Sequence, residues 1–248
     1  MKFALIGHPV EHSFSAQYLN TRFKNEGIDA HYELIDLPNI AEFPSLIQSD
    51  KYDGFNVTIP HKRAIIPYLD SLSPEAQAIG AVNVIQIIKS HSGISDLAQR
   101  SGTSGVHLIG HNTDIIGFHE TFTPLLKPNH THAVILGTGG ASQAVQYVLN
   151  KLNIPFRLVT HNELDTNTIT QLAPIIINTT PLGMHPHINT MPNIDYSQIT
   201  PNHLIYDLVY NPTETQFLQL AKQQGATTQN GLAMLYAQAD AALKIWLK

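Results

Sequence analysis

"HAVILGTGGASQAVQYVLNKL", residues 132–152, decides the fold. Ala133 to Leu136 form a short apolar run of the kind that makes a buried strand. A glycine turn follows, and a helical pattern follows the turn. Strand, glycine turn and helix are the context in which G-x-G-x-x-G/A binds a dinucleotide. Gly137 permits the tight turn, and Gly139 lets the backbone approach a pyrophosphate. The helix N-terminus supplies N–H donors and positive potential. Ser142, a small residue, holds the third glycine position. About 20 residues on, such a site places an acid on the ribose hydroxyls or an arginine near a 2′-phosphate. Here the strand "IPFRLVT" (154–160) ends with neither, and His161 stands where that residue is expected.

Outward from this unit, strands alternate with helices. "KFALIG" (2–7), "HYELIDL" (31–37), "DGFNVTI" (53–59) and "AVNVIQII" (81–88) read as strands. The helices between them begin at Ser15 as N-cap and end at Gly27, run over 39–49, and occupy "SPEAQAIG" (73–80). The last carries Ser at the N-cap, Pro at the first helical position and Gly just past the end. "VHLI" (106–109) is expected to pair with 81–88. "KSHSGISDLAQRSGTSG" (89–105) lacks periodicity and reads as a long exposed loop. Beyond it come a helix from 112, strands at 174–180 and 202–210, and helices at 213–225 and 230–248. The alternation implies an α/β fold with parallel sheets and right-handed crossovers.

The 248 residues suffice for one large domain or two smaller ones. A net charge of −5 argues against a phosphate-backbone binder, which would carry a basic face. The absence of cysteine excludes disulfides, thiolate metal sites and cysteine nucleophiles. The 14 histidines are scattered and read as surface and loop residues, so no metal site is expected. The apolar run after Met1 is too short for a signal peptide, which points to a cytoplasmic protein.

"GFNVTIPHK" (54–62) sets a lysine two residues beyond a proline that stops a buried strand. This motif sits in an ordered set: "GHPVEHSFS" (7–15), "IGAVNV" (79–84), "GHNTDIIGF" (110–118), "LGTGGAS" (136–142) with "INTTPLGM" (177–184), and "DLVYNPTET" (207–215) with "NGLAMLYAQA" (230–239). Spanning almost the whole chain, the set resembles the shikimate dehydrogenase family. The departures are Ala16 for proline and Leu19 for histidine in the first motif, a longer loop at 89–105 and a shorter segment at 161–174.

The resemblance implies reversible reduction of 3-dehydroshikimate to shikimate with NADP, and with NAD as a secondary cofactor. It makes Lys62 the catalytic acid–base group and Asp114 its partner. A lysine can do this work when a rigid base fixes its stem, and the start of a helix favours a negative charge at Asp114. Ser13, Ser15 and Tyr210 are implied to take the substrate carboxylate, and Thr58, Asn83 and Gln238 its hydroxyls. Read singly, Ser15 is a helix N-cap, Asn83 a polar residue on a strand and Gln238 a solvent-facing helix residue. Gly137, Thr138, Gly139, Gly140, Ala141, His161, Thr180, Met184 and Gly231 are implied to hold the cofactor. Two α/β domains are expected: residues 1–110 completed by 230–248 for substrate, and 111–229, Rossmann-like, for cofactor. The active site then falls in the cleft between them. The implied partners are small molecules, with no nucleic acid or membrane, and the chain acts as a monomer or homodimer.

The cofactor choice rests on His161. Thr160, His161 and Asn162 donate hydrogen bonds to a phosphate, and histidine adds positive charge as pH falls. A modest NADP preference that grows toward pH ~6 is expected from the ordinary histidine range. His161→Arg strengthens NADP binding and His161→Asp shifts preference to NAD. KM values for both cofactors across this range check it, and a clear NAD preference in the parent chain contradicts it.

Overall fold

The computed structural model describes residues 1–89, 105–160 and 173–248. The interior of the loop read at 89–105 and the segment holding His161 lie outside them. The chain divides into two compact units, Met1–Thr113 with Ala239–Lys248, and Asp114–Gln238.

The first unit is built on a six-stranded sheet. In chain order its strands are β1 (Lys2–Gly7), β2 (His31–Asp36), β3 (Gly54–Val57), β4 (Ser71–Leu72), β5 (Val84–Lys89) and β6 (Val106–His111). The spatial order is β2-β1-β3-β5-β6-β4. β1 pairs in parallel with β2 and β3, but β5 is antiparallel to both β3 and β6. The sheet is therefore mixed rather than parallel. β5 starts at the edge where β3 ends, so the chain enters it in the opposite direction. The helices are α1 (Ser15–Glu26), α2 (Phe43–Gln48) and α3 (Pro74–Ile79). The expected punctuation of α3 is present: Ser73 Oγ accepts from Ala76 N at 3.2 Å, and Gly80 takes the left-handed conformation. The helix expected over 39–49 is split into a 3₁₀ turn, Ile40–Glu42, and α2. Ser15 is not the N-cap of α1. The helix begins at Ser15, and its capping position is Phe14. Ser13 Oγ instead accepts from Ser15 N at 3.3 Å, so the serine two residues earlier serves this end.

Alternation along β1 gives the sheet two buried faces. Phe3 and Leu5 join Leu19, Phe23 and Leu243 on one side, and Ala4 and Ile6 join Phe43, Phe55 and Ile65 on the other. The last helix, α7 (Leu232–Trp246), contributes its final turns to the first of these faces. Trp246 stacks on Phe3 with centroids 4.5 Å apart, and its Nε1 donates to Ile85 O at 3.0 Å. A side chain at Gly54 would put its Cβ 2.4 Å from Trp246 Nε1, so the indole lies on bare backbone.

The second unit carries an all-parallel sheet, as the alternation predicts. Its strands are β7 (Ala133–Leu136), β8 (Phe156–Val159), β9 (Ile175–Asn178), β10 (Leu204–Asp207) and β11 (Thr227–Gln229), in the order β11-β10-β9-β7-β8. Its helices include α4 (Asp114–Phe122), α5 (Gly140–Lys151) and α6 (Gln216–Gln223). β10 is shorter than the strand read at 202–210, because Asp207 turns its carboxylate inward to accept from Val209 N and ends the ladder. The core joins Val134, Leu136, Ile176 and Ile205 to Phe217 and Leu218 of α6. Among the described residues no helix is long and apolar enough to cross a membrane.

Among the described residues, three histidines read as surface residues are buried: His61, His130 and His203. Each is held by backbone. His61 Nε2 donates to Leu37 O at 2.5 Å, while Nδ1 of His130 and of His203 accepts from Lys127 N and Thr200 N, each at 3.0 Å.

Trp246→Ala is expected to destabilise the protein by ~3 kcal/mol, at the low end for a large aromatic because Trp246 is only partly buried. Gly54→Ala is expected to do comparable damage by pushing the indole off the sheet. Urea unfolding checks both, and a change under ~1 kcal/mol for Trp246→Ala contradicts the docking role.

Candidate active site

The mixed sheet of the first unit brings four segments to one edge. β1 and β3 end there, β5 begins there, and β6 ends there, as the pairings Ile6–Val57, Asn56–Val84 and Val84–His111 require. Ser13 and Ser15 lie beyond β1, Thr58 and Lys62 beyond β3, Asn83 just before β5, and Thr113 just beyond β6. The loops are tightly joined. A Cβ on Gly7 would stand 2.3 Å from Thr58 Cγ2, and His8 N donates to Ile59 O at 2.9 Å. Ser13 Oγ donates to Ser15 Oγ at 3.2 Å, setting the two hydroxyls side by side, with Ser15 buried.

Lys62 does not follow directly on a strand. β3 stops at Val57, Ile59 is 62% exposed, and residues 59–65 form successive turns. Their backbone is nonetheless fixed. His61 N donates to Thr58 O, the His61 ring is anchored on Leu37 O, and Lys62 O accepts from Val82 N at 2.8 Å. The half-buried Lys62 side chain thus starts from a pinned main chain.

Asn83 is not on a strand face either; it occupies the bend before β5, where it is 2% exposed. Its Oδ1 accepts from Thr113 N at 2.7 Å and its Nδ2 donates to Thr113 Oγ1 at 3.1 Å. Its carbonyl accepts from Val57 N and from Asn56 Nδ2, and Asn56 Oδ1 accepts from Tyr32 Oη at 2.7 Å. Burial pushes the Tyr32 phenol well above its ordinary range, so it stays a neutral donor. Thr113 and Asn56 were missed by the sequence reading. The signal for Thr113 was its place beside Asp114 in "NTD".

In the second unit, chain order reverses across the sheet. β8 lies on one side of β7 and β9 on the other, so the switch point falls between β7 and β9. Ligands of open α/β sheets bind beyond the strand C-termini at such a point. Gly137 sits there with φ +103°, and a Cβ on it would reach Thr179 Oγ1 at 2.8 Å and Thr180 Cγ2 at 2.9 Å. Ser142 Oγ donates to Gly137 O at 2.8 Å and closes the turn, which explains a small polar residue at the third position. No side chain caps α5 at Gly139, and the space over Gly139 is open. An uncapped helix N-terminus leaves its first N–H groups for a ligand. These residues fit a dinucleotide phosphate.

Thr138, Gly140 and Ala141 share that turn, and Thr180, Met184, Tyr210 and Gly231 lie in the loops beyond β9, β10 and β11 on the same edge. Met184 is 40% exposed. Asp114 opens α4 and is buried. Gln238, which read singly would face solvent, is also buried: it packs on Gly117, one turn along α4 from Asp114, and its Nε2 donates to Leu235 O at 3.0 Å.

Residues 5–85 match the family model of the shikimate dehydrogenase substrate binding domain. The shikimate dehydrogenase (NADP(+)) of Methanococcus maripaludis is 35% identical over 98% of this chain and 90% of its own. Among solved structures, shikimate dehydrogenase 1 from Peptoclostridium difficile superposes with TM-score 0.80 at 32% identity, over 99% of this chain and 91% of that one. Shikimate 5-dehydrogenase from Thermus thermophilus, solved in complex with NADP(H) and shikimate, gives 0.81 at 30%, over 99% and 93%. The likeness covers both sheets and both edges from end to end, and the chain belongs to the shikimate dehydrogenase family.

Proposed function

We propose that the protein catalyses the reversible NADP-dependent reduction of 3-dehydroshikimate to shikimate, a step of aromatic amino-acid biosynthesis. The observation that carries the reading is the convergence of Ser13, Ser15, Thr58, Lys62 and Asn83 on one sheet edge in a chain of this family. A bound nicotinamide dinucleotide supplies the hydride chemistry. Gly137, Thr138, Gly139, Gly140, Ala141, Thr180, Met184 and Gly231 are the residues that would hold it. The helix N-terminus at Gly139 offers backbone donors to its phosphates. His161 takes the 2′-phosphate in this reading.

The chain's own work is to hold the substrate and move one proton. The paired hydroxyls of Ser13 and Ser15, with Tyr210, take the substrate carboxylate. Thr58, Asn83 and Gln238 take hydroxyls. Lys62 Nζ gives a proton to the substrate carbonyl oxygen as it becomes a hydroxyl, and takes that proton back in the oxidation direction. Asp114 is the acceptor that orients Lys62 and balances its charge. The reading extends to a cytoplasmic enzyme acting as a monomer or homodimer. The test is an assay of the purified protein with shikimate or quinate, each with NADP or NAD, followed by absorbance of the reduced cofactor. Turnover of quinate without shikimate overturns the substrate assignment.

Lys62→Ala is expected to lower kcat by at least ~10²-fold, the range for losing a general acid–base group, with less effect on KM. Asp114→Asn is expected to cost a similar factor. Near-normal kcat in the lysine variant removes Lys62 from the mechanism. Ser13→Ala and Ser15→Ala are expected to raise the KM for shikimate, because the carboxylate lies away from the reacting carbon. Since Ser15 does not cap α1, its variant should melt within a few degrees of the parent. Unchanged KM in both serine variants contradicts the carboxylate assignment.

A further inference from the structure

Asp207 is fully buried at the end of β10, in a strand that is otherwise apolar, and the mechanism above gives it no task. Its two oxygens accept three hydrogen bonds from three different segments. Asn178 Nδ2 donates to Oδ1 at 2.9 Å, Val209 N to Oδ1 at 3.0 Å, and Thr215 Oγ1 to Oδ2 at 2.6 Å. Each partner passes the constraint on. Asn178 Oδ1 accepts from Thr180 N at 3.0 Å and from Thr180 Oγ1 at 2.6 Å, which sets the turn beyond β9. Val209 O accepts from Gly231 N at 3.1 Å. Gly231 lies so close to Leu208 that a Cβ there would overlap the Leu208 carbonyl oxygen at 2.0 Å. Thr215 caps α6 through Leu218 N at 3.4 Å.

We propose that Asp207 is a positioning residue for the cofactor, holding Thr180 and Gly231 at the switch-point edge through Asn178 and Val209. This rests on the reading that the glycine-turn edge binds the dinucleotide. Above about pH 6 the ionised carboxylate suits this site, because all three partners bring a hydrogen to it. An amide at 207 keeps one oxygen for Asn178 Nδ2 and Val209 N and turns its N–H donors toward Thr215 Oγ1, whose hydroxyl hydrogen loses its acceptor. A buried donor that loses a charged acceptor forfeits a large interaction, so the loops relax rather than leave it unmet.

Titration gives a second readout. Burial pushes the Asp207 carboxyl up to about 6, against the bonds from Thr215, Val209 and Asn178 that pull it down. No charged side chain is among the causes of that shift; Tyr196, a phenol held neutral by burial, is the titratable group on which Asp207 in turn acts. With the folded value raised above the ordinary 3.8, Asp207 adds stability that is whole below the ordinary value and lost as pH rises through about 6. The Asp207→Asn protein, which cannot titrate there, therefore gains on the wild type in melting temperature across that window.

The test measures NADPH affinity by its fluorescence in wild type, Asp207→Asn, Asn178→Ala and the double variant, each checked for a cooperative melt. Each single variant is expected to weaken NADPH binding roughly tenfold, as for a lost buried charge-assisted bond, and the double variant little more. With saturating NADP, kcat for shikimate stays within about threefold of wild type, since positioning of the cofactor acts on binding. The ratio of the Asp207→Asn dissociation constant to that of wild type shrinks as pH falls through about 6. A folded Asp207→Asn or Asn178→Ala that binds NADPH within about twofold of wild type overturns the inference and leaves the proposed function standing. If Asp207→Asn does not fold, Asn178→Ala decides by the same criterion. A wild-type protein that binds no NADPH overturns both.

Discussion

Asn83 is the fixed point of the first unit. Through its backbone it accepts from Val57, the last residue of β3, and donates to His111, the last residue of β6. Through its side chain it holds Thr113 by both amide atoms. Val57, Asn83 and Thr113 are buried, and an unmet polar group there costs on the order of 1–3 kcal/mol. The arrangement is therefore all or nothing: the strand ends meet at Asn83 or several donors go unpaired together. That cooperativity keeps a mixed sheet in register without a regular alternation of strands and helices.

The same constraint decides where chemistry can be placed. Lys62 follows β3 by five residues, and its carbonyl is held by Val82, the neighbour of Asn83. Asp114 follows Thr113 directly. Both members of the proposed acid–base pair thus leave the fold within one residue of a group tied to this network. Neither can shift along the chain without breaking buried hydrogen bonds. A flexible lysine stem gains reach from its four methylenes, and the pinned backbone removes the freedom that would otherwise dilute its position.

What the sequence made legible was local or motif-borne. The strand–turn–helix at 133–151 could be read because its signals lie within a few residues: an apolar run, a glycine that takes φ +103°, and a small residue where Ser142 closes the turn. The punctuation of α3 was legible for the same reason. Long-range choices were not. The antiparallel entry of β5 depends on Asn83 meeting Thr113, 30 residues away. The two-residue β4 and polar β11 have no pattern of their own and exist because a neighbouring strand offers a free edge. Ser15 read as a cap because serine favours that position, yet Ser13 serves that end of the helix. Asp207 went unread because its meaning lies in Asn178, 29 residues back, and in Thr215 beyond it.

The two edges solve different problems, and the difference explains their sequences. The edge of the first unit presents side chains: three hydroxyls and a lysine, each needing a particular chemistry and a buried scaffold behind it. The edge of the second unit presents mostly backbone: a glycine turn, a helix N-terminus and loops held from beneath. Backbone groups carry no residue identity, so small size suffices at positions 137–142, and what must be specific is the buried polar set that shapes the loops. Asn178, Asp207 and Thr215 are that set, and they stand to the second edge as Asn56, Asn83 and Thr113 stand to the first. In both units the polar residues least exposed to solvent govern the geometry of those that meet it. A buried hydrogen-bond network admits few alternative arrangements, whereas apolar packing alone tolerates many.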